Sequence, residues 1–197
     1  MATRRAAVGD QARRSRAAGA KRRAADASGV EAVIEGIDAS DPANIELVFG
    51  FVGPTGIDLN KVGDVLRTQL RAVQYDVVEV RLSELITTYL GKSHNFPNEY
   101  ERIKTLMDRG TWLREESKQP DIVARLGIAA IRESREQRTK DVRKPAKRLA
   151  YFVRSFKRPE EVEIFRQVYG KAFTLISVYA SRAWRLQFLK KLLAPSI

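Results

Sequence analysis

Short apolar or β-branched segments alternate with longer segments of helical periodicity from about residue 45 onward. Continuous apolar runs bounded by turn residues are typical of strands buried on both faces of a parallel sheet. The predicted strands are residues 45–52, 75–82, 148–156 and 172–179. The alternation of strands and helices predicts an α/β fold, with a mainly parallel sheet and helices on both faces.

The segments between and after these strands have one apolar stripe at helical spacing. The predicted helices are residues 58–73, 83–90, a segment from residue 98, and residues 121–137, 159–169 and 182–193. Ser83 is predicted to cap the second helix, and Asn98 with Glu101 to cap the third. Tyr100 and Met107 are expected on the buried stripe of that third helix.

The N-terminal segment has a different composition and is predicted as a basic, disordered or weakly helical arm over residues 1–40. Residues 1–28 hold no aromatic side chain and carry about half of the net charge of +12. Such a segment buries too little apolar surface to offset its ordering entropy. Three interpretations remain open: a solubilising terminus, an arm that binds nucleic-acid phosphates, and an Arg-rich transit peptide.

Composition excludes several kinds of chemistry. The chain has no cysteine and one histidine, His94. Disulfides, thiolate zinc sites, cysteine nucleophiles and mechanisms that need two histidines are therefore excluded. No apolar run approaches the roughly 20 residues of a membrane span, so no membrane partner is predicted and a cytoplasmic location is expected.

The segment after the first predicted strand has the features of a phosphate-binding loop. Gly53, Thr55, Gly56 and Asp58 lie between a buried strand and a helix. Glycines let backbone amides approach an anion, and the helix N-terminus adds positive potential. Residues 58–60 are Asp, Leu and Asn where the usual motif has Gly, Lys and then Ser or Thr. A glycine turn without a ligand remains the alternative.

A basic segment follows the third predicted strand. Arg154, Lys157 and Arg158 lie at its carboxyl end, at the same sheet edge as the glycine loop. Arg154 and Arg158 are candidates for nucleotide binding, because a guanidinium can hold phosphate through two parallel hydrogen bonds. The alternative is a solvated turn, with salt bridges to Glu160 and Glu161.

Four segments together carry a family resemblance: FGFVGPTGIDL, VVEVRLSELI, YERIKTLMDRGTWLRE and AYFVRSFKRPEEVEIFRQVYGKAFTLISVYASR. Residues 43–190 resemble the N-terminal P-loop-kinase-like domain of the bacterial anti-phage deoxycytidylate (dCTP/dCMP) deaminase family. The resemblance implies a three-layer nucleoside-kinase-like domain over residues 41–197. It also implies a nucleotide as ligand, with a nucleoside triphosphate and Mg²⁺ as the candidate cofactor, and a role in antiviral defence.

The catalytic half of that family has no counterpart in this sequence. A zinc deaminase needs a His-x-Glu and a Pro-Cys-x-x-Cys signature, and the chain has no cysteine. The resemblance therefore implies a regulatory nucleotide-binding module without catalytic or metal-binding residues of its own. Its expected partners are a separate deaminase subunit or further copies of the chain.

Two other functions remain open. Residues 154–163 are similar to an Asp-Ser-apolar-Arg-x-Pro-x-Glu-Val-Glu pattern of some nucleoside-phosphate kinases, with Arg154 in place of the Asp. A kinase using Lys61 or Lys157 is one alternative, although phosphoryl transfer depends on the lost positioning groups. A nucleic-acid-binding protein that uses the basic arm is the other.

Overall fold

The computed structural model describes residues 45–193, so the predicted basic arm lies outside the described residues. The strands are β1 Leu47–Val52, β2 Asp76–Arg81, β3 Leu149–Arg154 and β4 Phe173–Ser177. The helices are α1 Leu59–Ala72, α2 Leu82–Tyr89, α3 Glu99–Ser117, α4 Ile122–Thr139, α5 Pro159–Tyr169 and α6 Arg182–Leu193.

The strands form one parallel sheet in the order β2-β3-β1-β4, which confirms the predicted α/β class. β1 lies at the centre, with Phe51 opposite Arg154 on β3 and Val52 opposite Ser177 on β4. The carboxyl ends of β1 and β3 therefore meet at one edge of the sheet. The loops that follow these two strands are neighbours in space.

Helices cover both faces, as three layers require. On one face α1 packs over an apolar cluster that includes Phe51, Phe152 and Leu70. On the other face α2 to α5 pack over a larger cluster that includes Tyr151 and Phe165. Alternate residues of a strand point to opposite faces, so neighbouring aromatic residues of β3 contribute to different clusters.

The direction of the strand connections places a crevice at the carboxyl edge. The connection from β1 to β2 passes over β3, whereas the connection from β3 to β4 passes over β1 in the opposite direction. Right-handed crossovers that run in opposite directions lie on opposite faces of the sheet. The ends of β1 and β3 are therefore a topological switch point, the position at which open α/β sheets generally bind ligands.

Some local predictions differ from the structure. Helix α2 begins at Leu82 and has Arg81 at its N-cap, so Ser83 lies inside the helix and the predicted cap is wrong. Asn98 does cap α3, because its side chain accepts a hydrogen bond from the amide of Glu101. The prediction that Tyr100 and Met107 are buried is wrong: they are 57% and 55% exposed.

A buried ionic contact stabilises the amino-terminal end of the sheet. The buried Arg135 of α4 donates to both carboxylate oxygens of Glu46, just before β1. The amide of Ala146, just before β3, donates to the same carboxylate at 3.0 Å. This contact joins the entry points of the two central strands, at the opposite end of the sheet from the loops at the carboxyl edge.

Among the helices of residues 45–193, none combines the length and the apolar composition that a bilayer span requires.

Candidate functional site

A glycine-containing bend connects the carboxyl end of β1 to the start of α1. Gly56 is buried and has a φ of 89°. A Cβ at this position would lie 2.9 Å from the carbonyl oxygen of Arg185 on α6. Glycine is required here for two reasons, because L residues avoid this backbone region and because α6 packs directly over the bend.

Pro54 and Thr55 are the exposed residues of the bend. The carbonyl oxygen of Thr55 contacts α6, where it accepts a hydrogen bond from Arg185 Nη1 at 3.2 Å. Gly53 lies at the other end of the bend, where a Cβ would be 3.2 Å from the carbonyl oxygen of Val178. The bend is therefore held between the end of β4 and the first turns of α6.

The amides of the bend differ from those at the start of α1. The carboxylate of Asp58 accepts from the amides of Asn60 at 3.1 Å and Lys61 at 3.3 Å, so two helix-terminal donors are used by the protein. The amides of Gly53, Thr55 and Gly56 have no acceptor among residues 45–193. These three donors lie at the switch point, where an anion could accept from them.

Arg154 ends β3 at the same edge, but its side chain is held under α1. Nη1 donates to Asn60 Oδ1 at 2.6 Å, and Nη2 donates to Glu79 Oε1 at 3.1 Å. Gly63 of α1 leaves room for this guanidinium, since a Cβ there would lie 2.5 Å from Nη2. Arg154 is 6% exposed, so its charge is held within the protein beside the first turn of α1.

Glu79 on β2 forms salt bridges with three guanidinium groups, those of Arg67, Arg81 and Arg154. Burial raises the pKa of the Glu79 carboxyl, but hydrogen bonding and attraction by these arginines outweigh it, so the pKa lies below its ordinary value. Burial also lowers the pKa of Arg154, against the attraction of Glu79. The network fixes the position of Asn60 through Arg154.

The loop after β3 is shaped by the fully buried carboxylate of Glu161. Its Oε2 accepts from the amides of Lys157 at 2.7 Å and Arg158 at 3.2 Å. Its Oε1 accepts from Nε and Nη2 of Arg114 on α3. Glu161 thus forms its salt bridge with Arg114 on α3 and not with a basic residue of its own loop. Arg158 is exposed at the N-cap of α5.

A cavity of about 330 Å³ lies beside the bend, between the first half of α3 and the second half of α6. It is lined by Thr55, Tyr100, Ile103, Lys104, Met107, Asp108, Leu189 and Leu193. Its size is at the lower end of the range of small-molecule sites. It is open to solvent on one side, and its surface is almost entirely apolar. Sequence reasoning missed this cavity, because it joins helices that lie about 80 residues apart.

The sequence-predicted residues are therefore distributed over two adjacent loops. Gly53, Thr55, Gly56 and Asp58 lie in one bend, and Arg154 and Arg158 belong to the neighbouring β3 end and loop. Within the part of the chain that the structure describes, no group of three His, Asp or Glu side chains could hold a metal ion.

The other polar loop, residues 90–98, is organised around Arg109. Its Nη1 donates to Thr87 Oγ1 at 3.0 Å, and its guanidinium lies over the ring of Phe96. His94 Nε2 lies 3.3 Å from Thr88 Oγ1 and is exposed. This histidine is placed by a hydroxyl rather than by the carboxylate that usually orients a catalytic base.

No protein-family model matches the chain, and a search of curated proteins finds no significant match.

Proposed function

We propose that the chain is a regulatory module that binds a nucleotide through its phosphates at the Gly53–Gly56 bend. The observation that carries the proposal is the set of three amides, of Gly53, Thr55 and Gly56, that have no acceptor within residues 45–193. They lie at a topological switch point, between a buried strand and a helix. Backbone donors in this setting favour an anionic ligand.

The surrounding charges support phosphate as that ligand. The N-terminus of α1 carries the positive end of its dipole next to the bend. Asp58 offsets part of this potential, because its carboxylate caps the helix. The guanidinium of Arg154 is paired with Glu79 and donates to Asn60 in the first turn of α1, so it holds the start of this helix in place beside the bend. In this proposal Arg154 acts by positioning α1, and the exposed Arg158 supplies the positive charge that contacts the ligand.

The same residues favour binding over phosphoryl transfer. Leu59 and Asn60 replace the Lys and the hydroxyl residue that hold the β- and γ-phosphates and Mg²⁺ in a phosphate loop. Arg154 stands where the related kinase pattern has an acidic residue, so it cannot act as a base or a Mg²⁺ ligand. The proposed role is therefore to sense a nucleotide rather than to convert one.

The resemblance to anti-phage deoxycytidylate deaminases suggests what the module would regulate. We infer a cytoplasmic bacterial protein that controls a deaminase supplied by a separate subunit. Helix α6 is suited to transmit binding, because it packs on Gly56 while Trp184 and Leu186 on the same helix are exposed. A ligand that tightened the bend would alter the position of this exposed apolar surface.

Titration calorimetry with the four deoxynucleoside and four ribonucleoside triphosphates, with and without Mg²⁺, tests the proposal. Thr55→Glu places a negative charge on the exposed bend and should reduce affinity by at least about tenfold, through repulsion of phosphate. Thr68→Glu, an exposed site on α1, makes the same charge change elsewhere and should bind like the wild type. Equal affinity of the two variants would refute phosphate binding at the bend.

One observation keeps a kinase as the second candidate. Lys61 is exposed in the first turn of α1, where its ammonium could reach a bound phosphate. ATP consumption should then be measured with a panel of nucleoside monophosphates. Turnover that Lys61→Ala abolishes would favour the kinase, whereas binding without turnover would favour the regulatory module.

A further inference from the structure

The geometry points to the α3–α6 cavity as the seat for the base of a mononucleotide, with a preference for bases that carry an exocyclic amino group. This inference rests on the proposed function, because the cavity begins where the phosphate bend ends. Thr55 is exposed on the bend and is also part of the cavity wall. A ligand with its phosphates on the bend would therefore extend its sugar and base into the cavity.

The walls of the cavity suit a flat aromatic ring. Tyr100 and Met107 on α3 are more than half exposed although both are large and apolar. Leu189 of α6 forms part of the facing wall. An aromatic ring and a thioether are favourable partners for a stacked base, and a base between the two helices would remove this apolar surface from water.

The cavity surface is almost entirely apolar, and the two charged residues at its border are the exposed Lys104 and Asp108. These border charges indicate which edge of a base would be selected. Lys104 and Asp108 lie one helical turn apart on α3, and neither forms an ion pair within residues 45–193. An ionised carboxylate only accepts hydrogen bonds. Asp108 would therefore accept from the amino group of adenine or cytosine and would repel the keto oxygen that hypoxanthine or uracil presents at the same position.

The size and setting of the cavity, which is open to solvent on one side, suit a single nucleotide. Its volume of about 330 Å³ is at the lower end of the range for small-molecule sites. α6 closes over the bend at Gly56, where the packing of Arg185 and Leu189 leaves no room for a Cβ. A continuous strand of nucleic acid would need an open groove along the sheet edge, and this packing interrupts it.

Matched ligand pairs test the preference. Calorimetric affinities for AMP against IMP, and for CMP against UMP, should favour the amino-bearing member of each pair by about fivefold, as expected for one partly exposed hydrogen bond. Asp108→Asn should reduce this ratio to less than about twofold, since an amide both donates and accepts. Glu116→Gln, an exposed carboxylate at the far end of the same helix, should leave the ratio unchanged. An unchanged ratio in Asp108→Asn would overturn the inference.

Ligands that lack one part of the nucleotide separate this inference from the proposed function. Tyr100→Ala should weaken nucleotide binding about tenfold through lost stacking and leave the affinity for inorganic tripolyphosphate unchanged, whereas Thr55→Glu should weaken both. Nucleotide binding that responds to Thr55→Glu but not to Tyr100→Ala would overturn the base seat and support the phosphate site. Nucleosides that bind in a Tyr100-dependent manner, without any tripolyphosphate binding, would support the seat and overturn the phosphate site. An absence of binding by every probe at millimolar concentration would overturn both.

Discussion

The buried carboxylate of Glu161 gives the most direct prediction about the architecture of the site. Glu161→Gln keeps the shape of the side chain but removes its charge and replaces one acceptor oxygen by a donor. Three donors depend on that carboxylate: the guanidinium of Arg114 and the amides of Lys157 and Arg158. The variant therefore leaves a cation unpaired and brings a donor close to a backbone amide.

The magnitude follows from the burial of the pair. The side chains of Arg114 and Glu161 are 9% and 0% exposed, so solvent screens their attraction very little. Removal of one partner of a buried pair costs about 3 to 5 kcal/mol. Gln retains one acceptor, so we expect a loss of about 3 kcal/mol in the free energy of unfolding.

Urea denaturation followed by circular dichroism measures this loss. A change of about 3 kcal/mol should lower the midpoint by about 1 to 2 M with an unchanged m-value. Glu160→Gln is the matched control, because this neighbouring carboxylate is exposed, and it should change stability by less than about 0.5 kcal/mol. Arg114→Gln combined with Glu161→Gln should cost less than the sum of the single variants. A loss in Glu161→Gln no larger than that in Glu160→Gln would refute the assigned role.

Three further variants test other parts of the site. Gly56→Ala should lower the free energy of unfolding by about 2 to 3 kcal/mol, because it adds a clash with α6 to the strain of a positive φ. The control Gly91→Ala, where φ is also positive but space is open, should lower it by about 1 kcal/mol. Equal losses in thermal unfolding would contradict the packing of α6 on the bend. Gly63→Ala should lower stability by about 1 to 2 kcal/mol despite the better helix propensity of Ala, because the added Cβ clashes with the Arg154 guanidinium. Arg154→Met in the same chain should recover part of that loss in urea titrations. A stabilised Gly63→Ala would show that the Arg154 side chain moves freely. The pKa of Glu79 is lower in the folded state, so its ionisation stabilises the fold above pH 4.5, the ordinary pKa of the group. This contribution is lost as the pH falls from 4.5 towards the folded-state pKa. Glu79→Gln should therefore flatten the pH dependence of stability in that window, and a curve parallel to that of the wild type would contradict the network.

The fold was predictable because its two central strands, β1 and β3, are nearly continuous apolar runs. All six residues of β3 are buried, and a strand buried on both faces needs no alternation that could be confused with a helix. The end of the helix predicted over residues 159–169 was also predictable, because Gly170, with a φ of 51°, follows its apolar stripe. These signals are local, so a single sequence carries them.

The partners of the charged residues were not predictable in the same way. Arg154 bonds to Glu79 across 75 positions of sequence, and Arg114 bonds to Glu161 across 47. Many other arginines and carboxylates in the chain are equally plausible partners until the strand order is known. The sequence therefore indicated which loops meet, but not that the Arg154 guanidinium turns under α1.

Helix α3 shows a third limit of pattern reasoning. Its predicted apolar stripe includes Tyr100 and Met107, which are exposed, whereas Leu106, Gly110 and Leu113 are buried. The buried and the exposed residues lie on different sides of the helix, and both sides carry apolar residues. Tyr100 and Met107 line the cavity beside α6, and only the three-dimensional arrangement shows it.

The most direct test of the phosphate site is an amide chemical-shift titration of the isotope-labelled chain with a nucleoside triphosphate. The account predicts that the amides of Gly53, Thr55 and Gly56 shift together and saturate with one affinity, and that Thr55→Glu removes the response. Saturable shifts confined to other parts of the chain, or none at millimolar ligand, would contradict it.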